Sequence, residues 1–176
     1  MVFLIIFYNP IFIIIKNEKC NLIGKKYKNK NKYFYIMFSI LDKWLYPSIQ
    51  KISFEDIQDA IKTPHLFVMI NTLNINEQKC LIVNTLPVEK EEMTMNAILE
   101  NKEDKRKIII YGKHNMDESV DKKYKQLIQL GFIDIYVYTG GLFEWLLLQD
   151  IYGPELFPTT TKCTIELLNY RPPKIF

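Results

Sequence analysis

Between Lys51 and Tyr152 the sequence alternates short, continuously apolar runs with helix-length amphipathic stretches, and this alternation limits the fold more than any other feature. Lys107-Ile-Ile-Ile-Tyr111 is the clearest run, four β-favouring residues in a row. Leu66–Ile70, Cys80–Val83 and Ile135–Tyr138 are similar. Strands covered on both faces read this way because neither face meets water. Lys51-Ile52 is a short extended piece, and Ser53 then opens a helix with Asp56 three residues on, a capping-box spacing. Phe54, Ile57 and Ile61 form its apolar face, and Thr63-Pro64 ends it. Glu89–Asn101 has an acidic first turn and a modest stripe of Met93, Ala97 and Ile98. Ser119 is expected to cap the next helix, which carries Val120, Tyr124, Leu127 and Ile128 on one face and stops at Gly131. Gly140-Gly141 makes a tight turn before a helix over Leu142–Tyr152, closed by Gly153-Pro154. The class is therefore α/β, with a central, mainly parallel sheet flanked by helices in three layers.

A chain of 176 residues supports one domain of ordinary size with its own core. Cys20, Cys80 and Cys163 form no CxxC pair, which fits a reducing, cytoplasmic setting and supplies no metal framework. His65 and His114 show no ligand spacing with them. The net charge of +3 conceals an asymmetry. Residues 1–36 hold seven Lys and one Glu, whereas the rest holds 16 Lys and Arg against 19 Asp and Glu. The globular part is mildly acidic, which disfavours nucleic acid as a partner, since neutralising phosphates needs a basic face.

Val2–Ile15 is an apolar run broken by Asn9 and Pro10, shorter than the roughly 20 residues a helical span needs. Its basic residues follow it, which suits a short signal-anchor better than a secretory signal. An organellar leader would be rich in Arg and Ser, and this stretch has neither. Of residues 1–36, 28 are Phe, Ile, Asn, Lys or Tyr, all encoded by A/T-rich codons. The plainer expectation is a translated A/T-rich leader outside the fold, with Met37 as an alternative start. Membrane contact is expected only through residues 2–15. Residues 37–50, with Trp44, Tyr46 and Pro47, read as a lead-in, 51–158 as the domain and 159–176 as a tail.

The strand at Ile108–Tyr111, the loop Gly112–Glu118, the helix Ser119–Phe132 ending Leu-Gly-Phe, the strand Ile135–Tyr138, then Gly140-Gly141 and Trp145, together resemble the second half of a rhodanese-like domain. Ile52–Ile61 resembles that family's opening strand and helix. Val68–Leu73 sits where the family has an Asp-Val-Arg run, and Ile82–Pro87 resembles its short Ala-Ile-Asn-Ile-Pro strand. The resemblance implies a rhodanese fold and points to the loop after the Tyr111 strand as the place where chemistry would occur. In sulfur-transferring relatives that loop begins with Cys and ends with a basic residue. The thiolate carries sulfur as a persulfide, and backbone amides at a helix N-terminus stabilise its charge.

Against that pattern, Gly112 stands at the cysteine position, Asn115 where Gly is usual, and Asp117 and Glu118 near the expected Arg. Two carboxylates repel thiosulfate or phosphate. Asn71 and Leu73 replace the usual Asp and Arg. The resemblance therefore implies a domain without catalytic residues, whose degenerate loop comprises Gly112, Lys113, His114, Asn115, Met116, Asp117 and Glu118. No cofactor and no metal is expected. Cys80 reads as a small buried hydrophobe, Cys163 lies in the tail and Cys20 in the leader. His114 as a general base, Lys113 as an anion contact, or Asn115, Asp117 and Glu118 around a cation are sharper readings of the loop. Against them stand solvated loop residues and helix N-terminal charge complementarity. Trp145 and Phe143 read either as a binding surface or as packing under the Gly-Gly turn.

The expectation is thus a catalytically inactive rhodanese-like module that binds another protein through the 112–118 loop and the 142–152 helix. The alternatives are a sulfurtransferase assisted by another cysteine and a hydrolase using His114, Asp117 and Glu118. In the tail, Leu156, Phe157, Leu167, Leu168 and Tyr170 are docking candidates, and Pro172-Pro173 favours an extended chain.

Overall fold

The computed structural model describes residues 5–8, 11–14, 48–101, 103–162 and 167–176. The chain divides into two compact units, residues 1–47 and 48–176. In the first, β1 (Ile5–Tyr8) pairs antiparallel with β2 (Ile11–Ile14), Ile5 opposite Ile14 and Tyr8 opposite Ile11. The Asn9-Pro10 break in the apolar run therefore separates two paired strands. Most of the 37–50 lead-in lies outside the described residues, as do Cys20 and Cys163. No helix among the described residues is long and apolar enough to cross a membrane.

The second unit is built on four strands: β3 (Gln50–Ile52), β4 (Phe67–Asn71), β5 (Lys107–Tyr111) and β6 (Ile135–Tyr138). Their order is β3-β6-β5-β4, and every pairing is parallel. Parallel neighbours need long crossovers, and helices supply them. These are α1 (Phe54–Lys62), α2 (Val88–Glu100), α3 (Glu118–Leu130) and α4 (Gly141–Tyr152). Because side chains alternate along a strand, β5 feeds two cores. Ile108 and Ile110 pack with Met95 and Ile98 of α2 and with Val120, Tyr124 and Leu127 of α3. Ile109 and Tyr111 pack with Ile57 and Ala60 of α1 and with Leu142, Trp145 and Leu146 of α4. This is the three-layer arrangement expected from the alternation.

Ser53 caps α1 as its spacing implies: its N–H and its hydroxyl both donate to Asp56 Oδ2, at 2.8 and 3.0 Å. Gly131 ends α3 in the left-handed region, φ 100°. Three expectations need correction. The segment Cys80–Val83 is buried at Cys80, Leu81 and Ile82 but is no strand; it makes only an isolated antiparallel bridge, Ile82 to Thr159. Its polar groups are met by the tail and a core side chain, with Val83 N–H on Pro158 O and Ile82 N–H on Tyr111 Oη. On α2 the buried positions are Met95 and Ile98, while Met93 faces water. Cys80 is fully buried as expected, but it is disulfide-bonded, its partner sulfur lying outside the described residues. That removes the sequence argument for a reducing compartment.

The 159–176 stretch is joined to the unit. Thr160 N–H donates to Leu81 O at 2.8 Å, Thr161 Oγ1 donates to Lys79 O at 2.8 Å, and Tyr170 is buried in the α1/α4 core. Trp145 is packing: it is fully buried, stands edge-on to Tyr138 and Phe157, and donates from Nε1 to Pro158 O at 3.2 Å. Trp145→Ala removes the ring contacts and leaves a cavity between sheet and tail. It should lower unfolding free energy by about 3–5 kcal/mol in urea denaturation.

Candidate functional site

The loop 112–118 leaves the C-terminal end of β5, the side of an open parallel sheet where ligands bind. Two neighbours fix its course. On one side the first amides of α4 reach its carbonyls: Leu142 N–H donates to Gly112 O and Phe143 N–H to Lys113 O, each at 2.9 Å. These are orphan donors of a helix start, satisfied here by another loop. The approach requires Gly141, which sits at φ 65° and whose added Cβ would lie 2.8 Å from both Gly112 O and His114 N. On the other side Thr72 N–H, just after β4, donates to Tyr111 O at 3.0 Å.

Asp117 organises the loop from within. Its Oδ2 accepts the Lys113 N–H at 2.8 Å, and its Oδ1 accepts the Ser119 N–H at 3.0 Å and the Ser119 hydroxyl at 2.5 Å. It is the N-cap of α3, which corrects the expectation that Ser119 caps this helix. The cap moves two residues upstream because a carboxylate can take amides from both sides, the loop's and the helix's. With its proton on Asp117, the Ser119 hydroxyl oxygen also lies 2.7 Å from Thr72 Oγ1, within hydrogen-bond distance, tying helix start to the β4 end. Burial alone would raise the Asp117 carboxyl. The Lys113 amide, the Ser119 hydroxyl and amide, and the nearby His114 outweigh it and hold the group below the ordinary aspartate value.

Gly112 is buried beneath that carboxylate. A Cβ placed on it would stand 2.6 Å from Asp117 Oδ2 and 2.6 Å from Val120 Cγ2, inside contact distance of both. The space a residue-112 side chain would take is filled.

The remaining loop residues are arranged as follows. Lys113 Nζ meets Glu77 Oε1 at 2.6 Å and lies 5.6 Å from the centre of the Tyr170 ring. Tyr170 in turn donates its hydroxyl to Glu77 O at 3.3 Å. The hydrogen bond and charge of Lys113 hold Glu77 below the ordinary glutamate value, against the opposing effect of burial. Lys113 is thus held by the tail and the Ile75–Glu77 turn, a pairing nothing in the local sequence announced. His114 Nδ1 accepts the Met116 N–H at 3.2 Å, and Asn115, Met116 and Glu118 are exposed. Loop residues 114–118, Ile49 and Lys51 border a pocket of about 370 Å³, which Asp121 and Thr139 also line. Among the described residues no three His, Cys, Asp or Glu side chains converge as a metal site would require. Asn71, which stands where the resemblance implies an Asp, accepts the Leu73 N–H at 3.1 Å, and Leu73 is buried in the core. Cys80 is fully buried.

A four-stranded parallel sheet between two helical layers, with a loop curled at a helix N-terminus beyond its central strand, defines a three-layer α/β domain. Residues 67–148 match the family model described as Rhodanese-like domain, and the chain carries a rhodanese-like domain. No curated protein matches the chain. Among solved structures it is similar to the BH2092 protein from Bacillus halodurans (16% identity, 68% of this chain and 82% of that one, TM-score 0.46). A full-length protein from Lactobacillus plantarum is similar at 15% identity over 76% of this chain and 99% of that one, TM-score 0.44. The Rhodanese_3 like domain of the Alr3790 protein from Anabaena sp. is similar at 19% identity over 54% and 99%, TM-score 0.34.

Two predictions follow from the Asp117 arrangement. A carboxylate whose folded pKa is depressed adds stability that is fully present above its unfolded value near 4 and is lost as pH falls through the folded value. Asp117→Asn should therefore cost about 1–2 kcal/mol at neutral pH. That gap to the parent should narrow below about pH 4, as followed by denaturation at a series of pH values. Gly112→Cys alone should be destabilised by about 1–3 kcal/mol through overpacking. With Asp117→Ala added, the cost should be less than the sum of the single changes by about 0.5 kcal/mol or more, measured as a double-mutant cycle.

Proposed function

We propose that this rhodanese-like domain transfers no sulfur and serves as a protein-binding or regulatory module. The observation that carries the reading is the Asp117 carboxylate. It takes up the Lys113 and Ser119 amides beside Gly112, where a persulfide or oxyanion would need free donors. An internal anion in that position competes with any external one as an intramolecular ligand. The side chain at 112 that would carry sulfur is missing, and its space is occupied.

The alternatives have less support. A sulfurtransferase using another cysteine would need a thiol at the loop, and Cys80 is fully buried and disulfide-bonded. A hydrolase built on His114, Asp117 and Glu118 would need Asp117 to act on substrate, whereas its two oxygens are already engaged by loop and helix donors. His114 accepts a backbone N–H at the nitrogen nearest the loop.

The test is a sulfurtransferase assay on the full chain with thiosulfate and cyanide. Thiocyanate should form no faster than without protein. Turnover that disappears on cysteine alkylation would overturn the reading in favour of a cysteine-assisted sulfurtransferase.

A further inference from the structure

Among the described residues, nothing covers the outer face of α4 at its C-terminal end. Leu147 and Ile151 lie one turn apart on that helix and are 39% and 62% exposed. Tyr152, the last residue of α4, and Leu156, in the following turn, are 61% and 55% exposed. Beneath the patch, the buried Phe157 links the end of α4 to α1. The Tyr152 ring lies 6.2 Å from Phe157, Phe157 lies 5.8 Å from Phe54 of α1, and Gln58 of α1 donates to Leu156 O at 2.9 Å. Scattered exposed apolar residues are ordinary, but a contiguous group on one helix end and its turn marks an interaction surface.

The border of this patch is acidic. Asp150 and Glu155 are exposed beside it, Glu55 lies one turn from Gln58 on α1, and none of the three has a cationic partner among the described residues. Apolar anchors at helical spacing beside these exposed carboxylates suit an amphipathic helix whose flanks carry the opposite charge. A two-fold pairing of the same patch would bring Asp150 and Glu155 of one copy toward those of the other, which like-charge repulsion opposes. Resting on the protein-binding reading above, we infer that the α4–α1 surface around Ile151 docks a basic amphipathic helix of another protein.

The test uses the full chain and two synthetic helical peptides of the same apolar pattern, one of Leu and Lys, the other of Leu and Glu. Titration by fluorescence anisotropy should show binding of the Leu/Lys peptide that weakens as salt is raised, and none of the Leu/Glu peptide. Amide NMR shifts should fall on residues 147–156 and on α1. Leu147→Asp and Ile151→Asp should each weaken binding at least tenfold, and Asp150→Lys and Glu155→Lys several-fold. Met93→Asp, on the exposed face of α2, should leave it unchanged. Thermal melting that matches the parent for each variant keeps lost binding distinct from lost folding. Equal binding of both peptides, binding insensitive to the Asp variants, or no binding would overturn the inference. So would a dimer in sedimentation that Ile151→Asp dissolves, which makes a second copy the occupant. Absence of both thiocyanate and peptide binding sinks this inference and leaves the non-catalytic reading standing; thiocyanate formation sinks that reading instead.

Discussion

Strand β5 carries residues on both of its faces into separate cores, and the placement of the loop depends on that double burial. Ile108 and Ile110 are held by α2 and α3, Ile109 and Tyr111 by α1 and α4, so the strand cannot slip by one residue without exchanging the two sets. Its end is fixed further by Tyr111, whose buried hydroxyl shares a 2.8 Å hydrogen bond with Thr85 Oγ1 and accepts the Ile82 N–H at 3.3 Å. With the strand pinned in register, Gly112 emerges at one defined point between the starts of α3 and α4. Loop carbonyls then meet the α4 amides while loop and helix amides meet Asp117.

The loop carries its own anion at the start of α3. Helix N-termini favour negative charge because their first amides point outward with no partner. Asp117 meets that demand from within the chain, and Lys113, the loop's one cation, is turned to Glu77 and the Tyr170 ring. The exposed end of α4 is built on the same helix that clamps the loop.

Much of the architecture was legible from local pattern. The runs at 107–111 and 135–138 became strands with those bounds, and Ser53 with Asp56 formed the predicted cap. Gly131 stopped α3, and the Gly140-Gly141 pair marked the close approach to the loop. The misses share a cause. Cys80–Val83 has strand composition, yet its donors go to a tyrosine hydroxyl and to tail residues about 75 positions later along the chain. The Ser119 assignment failed because propensity cannot distinguish two cap-forming residues two positions apart when the fold of the loop, through the Lys113 amide, selects between them. Met93 fits a helical stripe, but the sheet lies on the side of Met95 and Ile98.

The sequence by itself determined the strand–helix alternation, the helix stops and the identity of residue 112. Each is encoded by side chains within a few positions of one another, where hydrophobic period, φ preference and the presence or absence of a thiol act locally. Only the tertiary structure decided that Asp117 fills the space above Gly112, that Tyr170 and Glu77 hold Lys113, and that the end of α4 stays uncovered. Those contacts join residues brought together by the sheet order, and no local preference specifies which distant group will arrive.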